Sequence, residues 1–223
     1  MLALRRGFAR YTPGGGAPEI VASPEQDPDV RFNDGKCDPA GRFWAGGMER
    51  DAKPVRASLW RLDPDGSAHR MIPGVTISNG IAWSLDSRIM YYIDTPTREL
   101  AAFSFDLATG SIADRRVAAR FPEELGHPDG MTIDAEGMLW VAMWGGGCVT
   151  RWDPGAGRML ARIEVAASQA SSCAFGGPAL EDLYVTSARG KLSPSALASE
   201  PHAGGIFRAR PGLRGVPSLA FAG

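Results

Sequence analysis

Cysteine, histidine and charge of one sign are all scarce in this chain. The three cysteines, Cys37, Cys148 and Cys173, are far apart and form no CxxC pair. A disulfide framework is not expected, and a reducing, cytoplasmic setting is the default for such usage. Each reads most simply as a small buried apolar residue. Only three histidines occur, without metal-ligand spacing, and there is no HExxH, GxSxG or P-loop motif. Lys plus Arg number 24 against 25 Asp plus Glu, a formal net charge of -1. No basic excess is available for a nucleic-acid partner. No apolar run reaches the length of a membrane span. The opening residues lack the apolar core of a secretory signal, so no membrane partner is expected either.

Glycine and proline are abundant: 28 and 17 of 223 residues. Glycine costs about 1 kcal/mol and proline about 3 kcal/mol in a helix interior, which disfavours long helices and suits short strands joined by tight turns. Hydrophobic residues at 44% and charged residues at 22% are ordinary for a chain that buries a core.

The turns recur with a long period. Asp38-Pro39-Ala40-Gly41, Ser84-Leu85-Asp86-Ser87 and Asp134-Ala135-Glu136-Gly137 each separate a short apolar run from an aromatic strand, and each fits a type I turn. Five residues before each turn stand Asn33, Asn79 and Asp129. A weaker fourth copy runs from Ser171 to Thr186. A second hairpin follows each aromatic strand, at Asp63-Pro64-Asp65-Gly66, Asp106–Gly110 and Asp153–Gly157. The first of these resembles the start of an EF-hand loop, but no Glu stands at its twelfth position, so it reads as a turn. About four strands per 40–50 residues is the signature of a β-propeller blade. A β-sandwich, the rival all-β reading, predicts no self-similarity at a fixed long period. We expect four four-stranded blades over residues 31–223. The outer part of an incomplete blade is expected over residues 1–24, all in a single β-propeller domain.

Equivalent inner-strand positions of successive blades converge on the propeller axis. Asn33, Asn79 and Asp129 are then expected to share one axial pocket, an oxygen-rich set suited to a hard divalent cation. The plain alternative for Asn or Asp before Gly is a turn or a backbone cap. Arg31, two residues before Asn33, points to the same side of its strand. His127 stands likewise two residues before Asp129, but a lone loop histidine is more often simply exposed.

The strings RFNDGKCDPAGRFWAG, ISNGIAWSLDSRIMYYID, PDGMTIDAEGMLWVAMWGGGCVTRWDP and GGIFRARPGLRGVPSLAFAG resemble the gluconolactonase / regucalcin / senescence-marker-protein family over nearly the whole chain. The resemblance implies a six-bladed β-propeller, here N-terminally truncated. It also implies metal-dependent hydrolysis of a sugar lactone, with one divalent ion (Ca²⁺, Zn²⁺, Mn²⁺ or Mg²⁺) at the axial site. It makes Asn79 and Asp129 metal ligands, Asp129 also the general base, and Arg31, Asn33 and Asp51 substrate contacts. The family's third metal ligand, a Glu in an N-terminal GEGPxW-like motif, is absent, and Met1 falls where a family member is well into its second blade. Metal binding weaker than that of a full-length relative is therefore expected. Two other classes remain: a metal-binding propeller without catalysis, or an inactive fragment of the enzyme, and a scaffold that binds another protein on its flat face.

Overall fold

The computed structural model describes residues 1–5, 7–49 and 56–223. Antiparallel sheets form in strict chain order. The first has three strands, β1 (Leu2–Ala3), β2 (Phe8–Arg10) and β3 (Glu19–Ala22). The second has four: β4 (Val30–Cys37), β5 (Phe43–Glu49), β6 (Ala57–Leu62) and β7 (Ala68–Val75). The third contains β8 (Ser78–Trp83), β9 (Ile89–Asp94), β10 (Glu99–Phe105) and β11 (Ile112–Arg120). The fourth contains β12 (His127–Ile133), β13 (Leu139–Trp144), β14 (Cys148–Asp153) and β15 (Arg158–Glu164). The fifth has three strands, β16 (Ala170–Gly176), β17 (Asp182–Ser187) and β18 (Ile206–Ala209). A single short helix, α1 (Pro194–Ser199), lies between β17 and β18.

This is a propeller-like, all-β arrangement of five sheets among the described residues. One expectation is corrected: the last sheet has three strands rather than four. A fourth strand would follow β18, but residues 210–223 form no strand and run along the turn end of the molecule instead. The Asp63 turn is a hairpin turn, with Gly66 N donating to Asp63 O at 3.0 Å.

The strands β4, β8, β12 and β16 pack against one another in succession and are the inner strands. Every residue of β8 is buried, whereas the fourth strands β11 and β15 are mostly exposed. The core is a series of slabs between neighbouring sheets. Trp44, Leu59, Trp83, Tyr92 and Phe105 fill the gap between the second and third. Ile93, Leu100, Met131, Val141 and Trp152 fill the next. Trp140, Phe175 and Leu183 fill the last.

The three turns close as expected: Gly41 N to Asp38 O, Ser87 N to Ser84 O and Gly137 N to Asp134 O, at 2.8–3.0 Å. In two of them the aspartate also does something the repeat did not disclose. Asp38 accepts from two backbone N–H groups of its turn and from Trp44 Nε1 at 3.0 Å. Asp134 accepts from Glu136 N, Met138 N and Trp140 Nε1 at 2.9 Å, and pairs with Arg151 at 2.7 Å. Both aspartates are fully buried. Each clips a turn to the indole of its own second strand, and so fixes the lower end of its inner strand.

The C-terminal segment runs along this turn end of the molecule. Gly215 bridges to Asp134, Ala222 N donates to Gly41 O at 2.9 Å, and Phe221 packs on the Phe8, Phe32 and Phe43 cluster. The last residues thus tie the fourth and fifth sheets back to the second. No helix among the described residues is long and apolar enough to cross a membrane.

Candidate functional site

The upper ends of the inner strands carry the matched Asn, Asn and Asp. None of the three sits in a turn. Asn33, Asn79 and Asp129 lie inside β4, β8 and β12, and each inner strand carries a register shift at this level. The shifts fall between Phe32 and Gly35, Asn79 and Ile81, Pro128 and Met131, and Ala170 and Ser172. A bulge leaves an extra residue out of the ladder and re-aims its side chain. Four bulges at one level turn the polar residues away from normal pleating.

The glycines that follow Asn79 and Asp129 have a second role. A Cβ on Gly80 would stand 2.9 Å from Asp129 O, and one on Gly130 would collide with Ser172. Glycine here permits close backbone approach between neighbouring inner strands. Asn79 and Asp129 are therefore on adjoining strands, with Ser172 next in sequence around the hub.

Asn33 Nδ2 donates to Asn79 Oδ1 at 2.9 Å and to Ser78 O at 2.8 Å. Arg31 Nη1 donates to Asn33 Oδ1 at 3.1 Å and to Phe32 O at 2.9 Å. Arg31 is exposed, Asn33 partly buried, and Asn79 buried at 6% exposure. Asn79 Nδ2 in turn donates to Thr95 Oγ1 at 2.7 Å, and Thr95 Oγ1 donates to Pro128 O at 2.7 Å. One hydrogen-bonded chain therefore runs from Arg31 to the residue before Asp129. Asp51 lies outside the described residues. His127 is exposed at the rim, beside Arg98.

Three groups that the repeat did not single out complete the hub. Asp34 accepts from Gly35 N at 2.8 Å, and burial pushes its carboxyl up against the opposing pull of the Lys36 ammonium. Lys36 Nζ donates to Met131 O at 2.7 Å, and burial lowers its pKa while Asp34 raises it. Cys173, buried with Sγ 3.3 Å from Trp140 O, is held as a thiol, its pKa pushed up to about 12 chiefly by burial. The signal available in the sequence was the pair of charges in DGK, inside an apolar strand. Thr95 offered none, because it lies outside the repeat.

Asp129, like Asp34, is a perturbed carboxyl of the hub. Burial first, and the negative charge of Asp34 second, raise its pKa to about 8; the Gly130 N–H opposes them. A carboxyl held this far from its ordinary range is one whose charge lacks compensation, the environment that a bound cation supplies. The donor chemistry agrees: the Asn79 amide oxygen and the Asp129 carboxylate are hard oxygen ligands fitted to Ca²⁺, Mg²⁺ or Mn²⁺. Among the described residues no group of three or more His, Cys, Asp and Glu is placed to hold a metal ion.

Known proteins share both the sequence and the fold. Regucalcin of Danio rerio is 45% identical over 206 residues, covering 91% of this chain and 70% of the relative. YvrE of Bacillus subtilis (strain 168), provisionally named a sugar lactone lactonase, is 39% identical over 224 residues, covering 100% of this chain and 77% of the relative. The crystal structure of a calcium-binding protein, regucalcin, from Agrobacterium tumefaciens str. C58 superposes with a TM-score of 0.92 at 31% identity. It covers 98% of this chain and 74% of that one. The family described as the SMP-30/Gluconolactonase/LRE-like region matches residues 1–189, and the chain belongs to that family.

Proposed function

We propose that the hub hydrolyses a sugar lactone to the aldonic acid. The single observation that carries the reading is the chain of bonds Arg31–Asn33–Asn79–Thr95–Pro128, which ends beside an uncompensated Asp129. It sets neutral and cationic donors next to a carboxylate, as attack of water on an ester carbonyl requires. The relative YvrE, provisionally named a sugar lactone lactonase, supports the same substrate class.

Asn79 Oδ1 and the Asp129 carboxylate would hold one divalent cation; when bound, such an ion polarises a carbonyl or acidifies a water. Asp129 accepts a proton from the attacking water, the general-base role open to a carboxylate beside the reacting water. The water oxygen bonds to the lactone carbonyl carbon. The ring C–O bond then breaks, and the departing alkoxide takes up the proton. Asn33 and Arg31 orient sugar hydroxyls, and the Arg31 guanidinium stabilises charge developing on the carbonyl oxygen. The apolar slabs around the inner strands keep the hub rigid.

A second reading is a propeller that binds Ca²⁺ without catalysis, favoured by the calcium-binding regucalcin of Agrobacterium. Turnover of D-glucono-1,5-lactone, followed with a pH indicator, separates the two. The enzyme reading predicts acid release that needs a divalent cation and disappears in Asp129→Ala. Unchanged hydrolysis in Asp129→Ala would overturn it, and cation binding without turnover would establish the second reading.

A further inference from the structure

We infer that Thr95 is a positioning residue that sets which end of the Asn79 carboxamide faces the hub. The inference deepens the cation-and-lactone reading above and rests on it for its functional meaning.

Thr95 follows β9 and opens the short 3-10 turn Thr95–Thr97, with Pro96 behind it. Its backbone N–H donates to Ile77 O at 3.0 Å, which anchors it beside the start of β8. Its side chain is buried, at 8% residue exposure. A hydroxyl has one proton to give and lone pairs to receive with. Pro128 O, 2.7 Å away, can only accept, so the Thr95 proton goes there. Thr95 Oγ1 must therefore accept from Asn79, and only the NH₂ end of the carboxamide can donate. The oxygen end is left facing the hub, 2.9 Å from Asn33 Nδ2. The reversed carboxamide would set oxygen against the Thr95 lone pairs and NH₂ against the NH₂ of Asn33. The first clash would be buried and the second partly buried, and each would leave polar groups unsatisfied, which is costly.

The same hydroxyl joins two neighbouring strands at the level of the hub. It fixes the Asn79 side chain of β8 and the carbonyl of the residue before Asp129 in β12. A ligand oxygen already pointed inward loses little freedom when a cation arrives. Removing the partner that orients a ligand typically costs about 10–100-fold in metal affinity.

The test uses the full chain and two readouts. The first is the side-chain NH₂ resonance of Asn79 by NMR, identified by its disappearance in Asn79→Asp. The second is Mn²⁺ affinity by titration calorimetry. In the wild type and in Thr95→Ser the NH₂ protons are expected to exchange slowly. In Thr95→Val they become exchange-averaged, and Mn²⁺ affinity falls by about 10–100-fold. Thr95→Ser restores it to near the wild-type value. Thr95→Val with the wild-type amide signal and affinity would overturn the inference. So would a wild-type amide that exchanges as fast as an exposed asparagine, a result that decides the matter even where Thr95→Val does not fold. A protected, Thr95-dependent amide in a protein that binds no Mn²⁺ would uphold the orienting role and sink the cation reading alone.

Discussion

The amide of Asn33 and the amide oxygen of Asn79, 46 residues apart in the chain, meet at 2.9 Å across two adjacent inner strands. The bond engages one lone pair of Asn79 Oδ1 and leaves the other open. On the proposed reading the two residues divide the work: Asn79 would supply an oxygen to a cation, and Asn33 would face the sugar.

That division is measurable. Asn33→Ala is expected to raise the lactone KM about tenfold, the scale of a lost hydrogen bond or two. Mn²⁺ affinity should stay near that of the wild type. Asn79→Ala should lose cation binding itself. Steady-state kinetics and calorimetry on the two variants check the split; equal losses of cation binding in both would contradict it.

The pH dependence follows from Asp129. Its pKa in the fold, about 8, lies above the ordinary aspartate value of 3.8. Between those values the folded state binds the extra proton, so stability contributed by the protonated carboxyl is present at low pH and falls as pH rises through about 8. A cation needs the ionised form. Cation affinity should therefore increase with pH and level off above about 8. Without metal, Asp129→Asn should melt above the wild type at pH 8, by roughly 2–4 °C per kcal/mol recovered. The gap should close toward pH 4. Melting curves in a chelator at several pH values check this.

Asp134 holds the lower end of the fourth sheet. Asp134→Ala leaves the mostly buried Arg151 and the Trp140 N–H without their shared acceptor. Breaking such a pair costs about 3–5 kcal/mol. Urea unfolding should show an unfolding free energy lower by that amount, and Asp134→Asn, which keeps an acceptor for the indole, should lose less.

Gly46→Ala tests how closely β5 approaches the neighbouring inner strand β8. A Cβ at Gly46 overlaps the Ser78 side chain, which itself accepts from Tyr92 OH at 2.8 Å. Overpacking of this kind costs about 1–3 kcal/mol. The urea midpoint should fall with little change in the slope.

The repeat made much of this architecture legible. Asp38, Ser84 and Asp134 marked the turns because a turn requires few residue types, and counting back from them found Asn33, Asn79 and Asp129. Arg31 was found by two-residue alternation, and it does bond to Asn33. The same alternation fails at Gly35, Gly80 and Gly130, where the bulges break the period, so Asp34 and Lys36 were not placed at the hub. The glycines there signalled turns to the eye but serve strand-to-strand approach. Thr95 was invisible because its role depends on two partners distant in the chain, Asn79 and Pro128. The paths of residues 188–205 and of the C-terminal segment are likewise set by tertiary contacts, such as Ala222 with Gly41, that no local pattern encodes.

The most direct test of the hub is where a paramagnetic cation settles. With substoichiometric Mn²⁺, the NMR signals of Asn33, Asn79, Gly80, Asp129 and Gly130 should broaden first, and Asp129→Ala should abolish the effect. Broadening centred instead on surface carboxylates such as Glu136 or Glu164, and unchanged in Asp129→Ala, would contradict the account.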